Sequence, residues 1–250
     1  MARRCLFCTH EADSLEDVWS SWILRDLKPT QPVRRRIGRH LDTYTVNPAI
    51  RVKCVCQGCN NGWMSDLENV NQARMRTMMR GQRTVLDPAE QKLLARWALL
   101  KAIVIDAINP RRTPFYLECK RTTFKPPLSA FPVGTSVWLA RFSSFRAFHA
   151  GGNDIWQNIG EAPKAMRGCV TNIVVGNLII QTLTMHVFPM FANRRIIPEC
   201  KPGARDVRLL NIWPIFGALV WPPSISFEAK GGPNRLGNII DRWQVGVDVG

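Results

Sequence analysis

The sequence predicts an α+β protein in which a zinc-binding N-terminal module, a connecting helix and a β-rich C-terminal region follow one another. Two Cys-x-x-Cys pairs lie near the N-terminus, and a long apolar helical pattern comes after them. Beyond this helix, short segments rich in Val, Ile, Phe and Trp are punctuated by Pro and Gly. We therefore expect an N-terminal module over residues 1–83, a connecting helix over 84–110 and a C-terminal domain over 111–250.

The strongest compositional signal is charge. The chain has 34 Lys and Arg residues against 19 Asp and Glu residues, a formal net charge of +15 over 250 residues. This excess favours a polyanionic partner, nucleic acid and DNA in particular, although a basic surface can also serve solubility alone. No apolar stretch is long enough to cross a membrane, and the N-terminus has no secretory signal pattern. We expect a cytoplasmic protein that does not contact membranes.

The cysteine spacing predicts a metal site. Of eight cysteines, four form the pairs Cys5 with Cys8 and Cys56 with Cys59. Four thiolates satisfy the tetrahedral preference of a structural Zn²⁺, and paired thiols in a reducing cytoplasm are more often metal ligands than disulfides. Cys54 is a substitute ligand with poorer spacing. Because a four-cysteine site has no open coordination position, any catalysis needs a second site.

The segment between the cysteine pairs begins with a helical pattern. Apolar residues from Leu15 to Leu27 recur at helical spacing, and Ser14 or Asp17 is available as the N-cap. The dipeptide Lys28-Pro29 is a stop signal. These features predict a helix over residues 14–27.

Later elements follow from alternation, periodicity and turn residues. A hairpin is predicted from strands at 43–46 and 50–55 with a turn at Asn47-Pro48. Two helices are predicted over about 60–79 and about 88–108, the second with Pro88 in its first turn. The predicted C-terminal strands are 136–142, 145–149, 169–175, 178–187 and 207–213.

Two motifs in the first third of the chain carry a family resemblance. Glu16-Asp17-Val18-Trp19-Ser20-Ser21-Trp22 lies between the cysteine pairs, and the second pair continues into Asn60-Asn61-Gly62-Trp63 and then Leu67-Glu68. Over about residues 5–70 this arrangement resembles the bacterial HNH endonucleases, in their zinc-stapled treble-clef variant with ββα-metal architecture. The resemblance implies an HNH-like nuclease module that hydrolyses phosphodiester bonds of DNA.

The resemblance also implies a catalytic metal site. In the family an acidic residue and an Asn or His at the helix start bind one divalent ion, Mg²⁺ or Mn²⁺, and the matching residues here are Glu16 and Asn60. A histidine that deprotonates the attacking water is expected next to the acidic residue, but Asp17 occupies that position. A carboxylate with a pKa near ~3.9 is a weaker base at neutral pH than an imidazole near ~6.5. The expected nuclease is therefore slow or altered.

Three interpretations of this substitution stay open. Asp17 acts as a second metal ligand or a weak base, or His10 or His40 serves as the base instead. In the third interpretation the catalytic site is degenerate, and the chain is a non-catalytic, zinc-containing protein that binds nucleic acid. Asp17 as a simple N-cap and Asn60 as a helix-start hydrogen-bonding residue are the structural alternatives.

A run of arginines is the candidate nucleic-acid contact. Arg34, Arg35, Arg36 and Arg39 lie in a polar segment between the cysteine pairs. Arginines of this kind bind phosphate groups, and the alternative for them is a solvated loop.

Overall fold

The structure is a computed structural model. It describes residues 3–28, 33–37, 41–45, 50–108, 114–143, 148–159, 162–187, 195–200, 209–227 and 243–248, which we call the described residues.

The N-terminal part begins with a strand rather than with the predicted helix. Strand β1 covers Ser14–Asp17, and helix α1 covers only Ser21–Leu27. The prediction of a helix from residue 14 was wrong at its start, because the backbone of these residues bonds to a distant strand and not to the next turn. Helix α1 ends as predicted at Lys28, whose N–H bonds to the Leu24 carbonyl and whose φ is 42°.

Three further strands complete this part. They are β2 (Val33–Ile37), β3 (Leu41–Thr45) and β4 (Arg51–Val55). Strand β3 pairs antiparallel with β2, whereas β4 pairs antiparallel with β1. The predicted hairpin of 43–46 with 50–55 was therefore wrong, although both strands exist. The reason is tertiary: the N-terminal cysteine turn docks beside β4, where Leu6 N–H donates to the Cys54 carbonyl.

The predicted helix over 60–79 is confirmed, with a break near its start. A short turn, α2 (Gln57–Cys59), leads into a π-type segment over Asn60–Met64 and then into α3 (Ser65–Met79). The break lies at Gly62, with φ −93° and ψ −119°. The following strand β5 is Thr84–Leu86.

Helix α4 (Pro88–Ala107) is the long connecting helix that the sequence predicts. It begins with a capping box, in which the Asp87 carboxylate accepts from Glu90 N–H at 2.7 Å and the Glu90 carboxylate accepts from Asp87 N–H at 2.9 Å. Proline at the first position fits because its missing N–H would have no helical partner there. A short helix, α5 (Glu118–Phe124), follows.

The C-terminal region is built on a sheet of six strands. Its strands run in the order β11-β6-β9-β8-β7, with β13 parallel to β6 and the other pairs antiparallel. The predicted strands at 136–142, 169–175 and 178–187 are confirmed, and the one predicted at 207–213 is confirmed over Leu210–Trp213. Parts of the strands predicted at 145–149 and 207–213 lie outside the described residues. The bounds are β6 (Thr135–Phe142), β7 (Phe148–Ile159), β8 (Ala162–Val175), β9 (Leu178–Val187), β11 (Leu210–Trp213) and β13 (Ser226–Phe227).

Three smaller strands and β5 form two separate pairs. Strand β12 (Leu219–Trp221) pairs with β5, and β10 (Arg195–Cys200) pairs with β14 (Trp243–Asp248).

One apolar core runs through all three predicted units. Buried side chains of the cysteine turn, of α3 and α4, and of the main sheet belong to the same cluster, for example Phe7, Met78, Leu99 and Ile180. A backbone bond from Asn177 N–H to the Met79 carbonyl, 2.8 Å long, also joins the sheet to α3. Helix α4 therefore lies between the cysteine turn and the sheet as a shared core element. None of the helices among the described residues has the length and apolar character needed to cross a membrane.

The capping box of α4 can be tested by substitution. Asp87→Ala removes the acceptor for Glu90 N–H, and we expect the free energy of unfolding to fall by about 1 kcal/mol. Asp87→Asn is the matched control, because asparagine caps helices as well as aspartate does. Urea unfolding measures both variants. Equal midpoints for Asp87→Ala and the unsubstituted protein would contradict a stabilising role for this cap.

Candidate functional site

The four predicted cysteines come together. One ligand atom from each of Cys5, Cys8, Cys56 and Cys59 lies within 4.8 Å of the others. The Cys8 sulfur is 3.5 Å from that of Cys56 and 3.8 Å from that of Cys59. Zn–S bonds of about 2.3 Å in a tetrahedron place sulfur atoms about 3.8 Å apart. The cluster can therefore hold a metal ion such as zinc.

Two tight turns position these thiols. The first turn is closed by Cys5 N–H donating to the His10 carbonyl at 2.8 Å. Phe7 N–H points at the Cys5 sulfur at 3.5 Å, and Cys59 N–H points at the Cys56 sulfur at 3.4 Å. Backbone N–H groups directed at sulfur stabilise the thiolate form that a metal requires.

Cys54 lies next to this cluster but does not belong to it. Its side chain is fully buried. Burial, together with the nearby Glu16 charge, raises the pKa of the Cys54 thiol to about 12. Cys54 therefore stays a protonated core side chain, and Cys56 with Cys59 forms the second pair, as the spacing predicts.

A buried ion cluster lies behind β1. Lys101 is 1% exposed, and its Nζ is 2.8 Å from Glu16 Oε1 and 2.8 Å from Glu68 Oε1. The same ammonium group donates to the Asp17 backbone carbonyl at 3.0 Å. One lysine of α4 thus binds both β1 and α3.

The two carboxylates of this cluster differ in their further donors. Glu68 Oε2 also accepts from Ser20 Oγ at 2.5 Å and from Trp22 Nε1 at 3.2 Å. Burial raises the pKa of Glu68, but the Lys101 charge and the hydrogen bonds from Lys101 and Ser20 outweigh it, so the pKa lies below its usual range. For Glu16, burial outweighs Lys101 and raises the pKa. Burial lowers the pKa of Lys101, yet the two carboxylates raise it above its ordinary value.

The predicted catalytic residues occupy β1 and the helix start. Glu16 is buried in the ion cluster, and Asp17 is partly exposed with its Oδ1 2.9 Å from Arg51 Nε. Asn60 Nδ2 donates to Ser14 Oγ at 2.8 Å and to the Leu15 carbonyl at 3.0 Å. Because a carbonyl only accepts, the Asn60 nitrogen must face β1. Metal binding by Glu16 and Asn60 stays a prediction.

The other predicted residues lie elsewhere or outside the described residues. His10 Nδ1 is 3.5 Å from the Cys8 sulfur, so this histidine borders the cysteine cluster. His40 and Arg39 lie outside the described residues, as do the side chains of Arg34, Arg35 and Arg36, which belong to β2.

Sequence reasoning missed the role of Lys101 and its link to Glu68. A signal was present, since a lysine interrupts the apolar run Leu99-Leu100-Lys101-Ala102-Ile103 of a helix that is otherwise core. A lysine on a buried helix face needs an acidic partner. Nothing in the spacing of the chain identifies that partner.

Comparison with known proteins found no relative of this chain. No protein-family model, no curated protein and no solved structure matches this chain.

Zinc analysis tests the cysteine cluster. We expect one tightly bound zinc per chain in protein purified without chelator, measured by inductively coupled plasma mass spectrometry. Cys56→Ser or Cys59→Ser should abolish zinc binding and, with it, the folding of the N-terminal part. Cys54→Ala is the matched control and should retain the zinc. Loss of zinc in Cys54→Ala alone, or absence of zinc from the unsubstituted protein, would contradict the site.

The ion cluster predicts a pH-dependent stability defect. Lys101→Met leaves Glu16 and Glu68 buried without a counter-charge, and we expect the free energy of unfolding to fall by about 3–5 kcal/mol at neutral pH. Without the ammonium, burial raises both carboxyl pKa values above those of the unfolded chain. The folded variant then binds more protons than the unfolded variant. Its loss of free energy of unfolding, relative to the unsubstituted protein, therefore becomes smaller as the pH falls.

Urea unfolding at several pH values measures this defect. The triple variant Lys101→Met, Glu16→Gln, Glu68→Gln carries no charge in the cluster and serves as the control. It should recover much of the lost stability and show little of the added pH dependence. A deficit in Lys101→Met that is the same at acidic and neutral pH would refute the argument.

Proposed function

We propose that this chain is a metal-dependent nuclease that hydrolyses phosphodiester bonds of DNA. The proposed reaction centre lies at β1 and at the start of the helix that follows the second cysteine pair. The cysteine cluster has a structural role in this proposal, because four thiolates leave no coordination position for a substrate.

One observation carries the proposal: each predicted metal ligand has one polar atom fixed by the protein and one oxygen without a hydrogen-bond partner among the described residues. Glu16 Oε1 is bound by Lys101, and Asn60 Nδ2 is bound by Ser14 and Leu15. Glu16 Oε2 and Asn60 Oδ1 form no hydrogen bond within the described part of the chain. Oxygen atoms of this kind are the ligands that Mg²⁺ and Mn²⁺ prefer.

The arrangement of the elements supports the same proposal. An antiparallel strand pair, β1 with β4, is followed directly by the cysteine-bearing turn and the helix. The first strand and the start of the helix are in contact, because the Asn60 side chain donates hydrogen bonds to β1. This order of a strand pair and a helix supports the proposal, because the sequence resemblance implies a ββα arrangement.

The chemistry assigns a separate task to each residue. A bound divalent ion would stabilise the charge that develops on the scissile phosphate. Glu16 and Asn60 would hold that ion, with Lys101 and β1 fixing their orientation. Asp17 is more exposed than Glu16 and would accept a proton from the attacking water through the oxygen that does not bind Arg51. A carboxylate is a weak base at neutral pH, so the expected turnover is slow.

A second candidate function is non-catalytic binding of nucleic acid. The observation that favours it is that both acidic residues of β1 already have cationic partners, Lys101 for Glu16 and Arg51 for Asp17. A carboxylate held in an ion pair is less available to a metal ion or a water molecule. The net charge of +15 fits either function.

A plasmid-nicking assay with Mg²⁺ or Mn²⁺ tests the proposal. We expect slow, metal-dependent nicking that Glu16→Gln and Asn60→Ala abolish. Asp17→His should raise the nicking rate by about 10-fold or more, because general-base catalysis contributes roughly 10²- to 10⁴-fold. Asp17→Asn is the matched control, since it removes the carboxylate without adding a base, and it should lower the rate.

The outcomes separate the two candidate functions. Zinc content and the thermal unfolding midpoint of each variant show whether it is folded. Metal-dependent nicking that survives both Glu16→Gln and Asn60→Ala contradicts the assigned site. Salt-sensitive DNA binding without nicking, by the unsubstituted protein and by Asp17→His alike, favours the non-catalytic function.

A further inference from the structure

Two of the cations on helix α4 are at least partly buried, and their surroundings differ. Lys101 is fully buried and has two carboxylate partners. Arg96, about one and a half turns earlier, is partly buried and forms no ion pair with any described residue. Its Nε is buried and has no hydrogen-bond partner in the described part of the chain.

An aromatic ring holds the Arg96 guanidinium in place. Its central carbon lies 5.5 Å from the centre of the Phe124 ring. The Phe124 ring packs against Trp63 at 6.0 Å and against Phe7 at 6.4 Å. Phe7 lies within the first cysteine pair, and Trp63 lies four residues after Cys59. Arg96 therefore lies close to the residues around the cysteine cluster, and the Phe124 ring contacts one face of its guanidinium.

Two other arginines near α4 form ion pairs with acidic residues, as expected of arginines with a structural role. Arg74 binds Glu90 with an N–O distance of 2.5 Å, and Arg76 binds Asp26 at 2.6 Å. For Arg96, burial lowers the pKa of the guanidinium, and no acidic group among the described residues opposes that shift. A partly buried cation without a counter-charge is unfavourable in the isolated protein, and such groups cluster at functional sites.

We propose that Arg96 binds a backbone phosphate of the nucleic acid, a site that nothing in the sequence patterns indicates. The inference rests on the proposed nucleic-acid partner and holds for either candidate function. A planar guanidinium matches a phosphate through two parallel N–H···O bonds, and a phosphodiester supplies the negative charge that the described residues do not. Because Phe124 already orients the group, little rotamer freedom is lost when the phosphate binds.

Fluorescence anisotropy with a labelled DNA duplex, without added divalent metal, tests the site. Arg96→Met should raise Kd by about 5- to 10-fold and reduce the slope of log K against log salt by about 0.9. The matched control is Lys92→Met, which removes one positive charge from an exposed position of the same helix. It should change Kd by less than about 2-fold. Arg96→Lys keeps the charge but cannot form two parallel hydrogen bonds to one phosphate. Its Kd should therefore lie between those of the unsubstituted protein and Arg96→Met.

Thermal unfolding separates a binding role from a structural one. Methionine retains an apolar contact with Phe124 and removes the uncompensated charge. The unfolding midpoint of free Arg96→Met should therefore stay unchanged or rise by about 2 °C. The loss of a residue with a binding role lowers the affinity for DNA but does not lower the stability of the fold.

Two results would overturn the inference while leaving the proposed function intact. One is a Kd of Arg96→Met equal to that of Lys92→Met. The other is a loss of affinity accompanied by a lower unfolding midpoint, which would make Arg96 a structural residue. Absence of salt-sensitive DNA binding by the unsubstituted protein is a distinct outcome, and it contradicts both the proposed nucleic-acid partner and the Arg96 site.

Discussion

The ammonium group of Lys101 joins three parts of the chain that are far apart in sequence. It binds Glu16 of β1, Glu68 of α3 and the Asp17 carbonyl from inside α4. An ammonium ion without partners could not be buried at this depth, so the strand, the two helices and their spacing depend on one another. Glu68 extends the same network to Ser20 and so to the start of α1. The Lys101 side chain thus links the candidate catalytic strand to α3 and α4.

Sequence patterns correctly predicted the features that depend on residues close together in the chain. The cysteine pairs specify a tetrahedral donor set by spacing alone, and Asp87-Pro88 specifies a helix start by its own hydrogen bonds and fixed φ. Segments 169–175 and 178–187 are rich in apolar and β-branched residues, so they were predicted as strands. In the structure they are neighbours that turn at Gly176, whose φ is 59°.

Long-range pairing decided the elements that sequence patterns missed. Residues 14–17 match a helical period, yet β4 supplies backbone partners that a helix at this position would forgo. The partner of β3 could not be predicted either, because the choice depends on the cysteine turn docking beside β4. For the candidate site, Glu16, Asp17 and Asn60 came from the family resemblance. Lys101 contributes through a contact that spans 85 positions in sequence, which no local pattern encodes.

The core that Lys101 anchors limits how this protein can be divided or recombined. A fragment that ends after α3 would keep all four candidate zinc ligands but would leave Glu16 and Glu68 facing the gap that α4 fills. Transplanting the cysteine module to another scaffold therefore requires the α4 face as well, because that face supplies the cation. Recombination with another chain would preserve the ion cluster only where β1, α3 and α4 are transferred together.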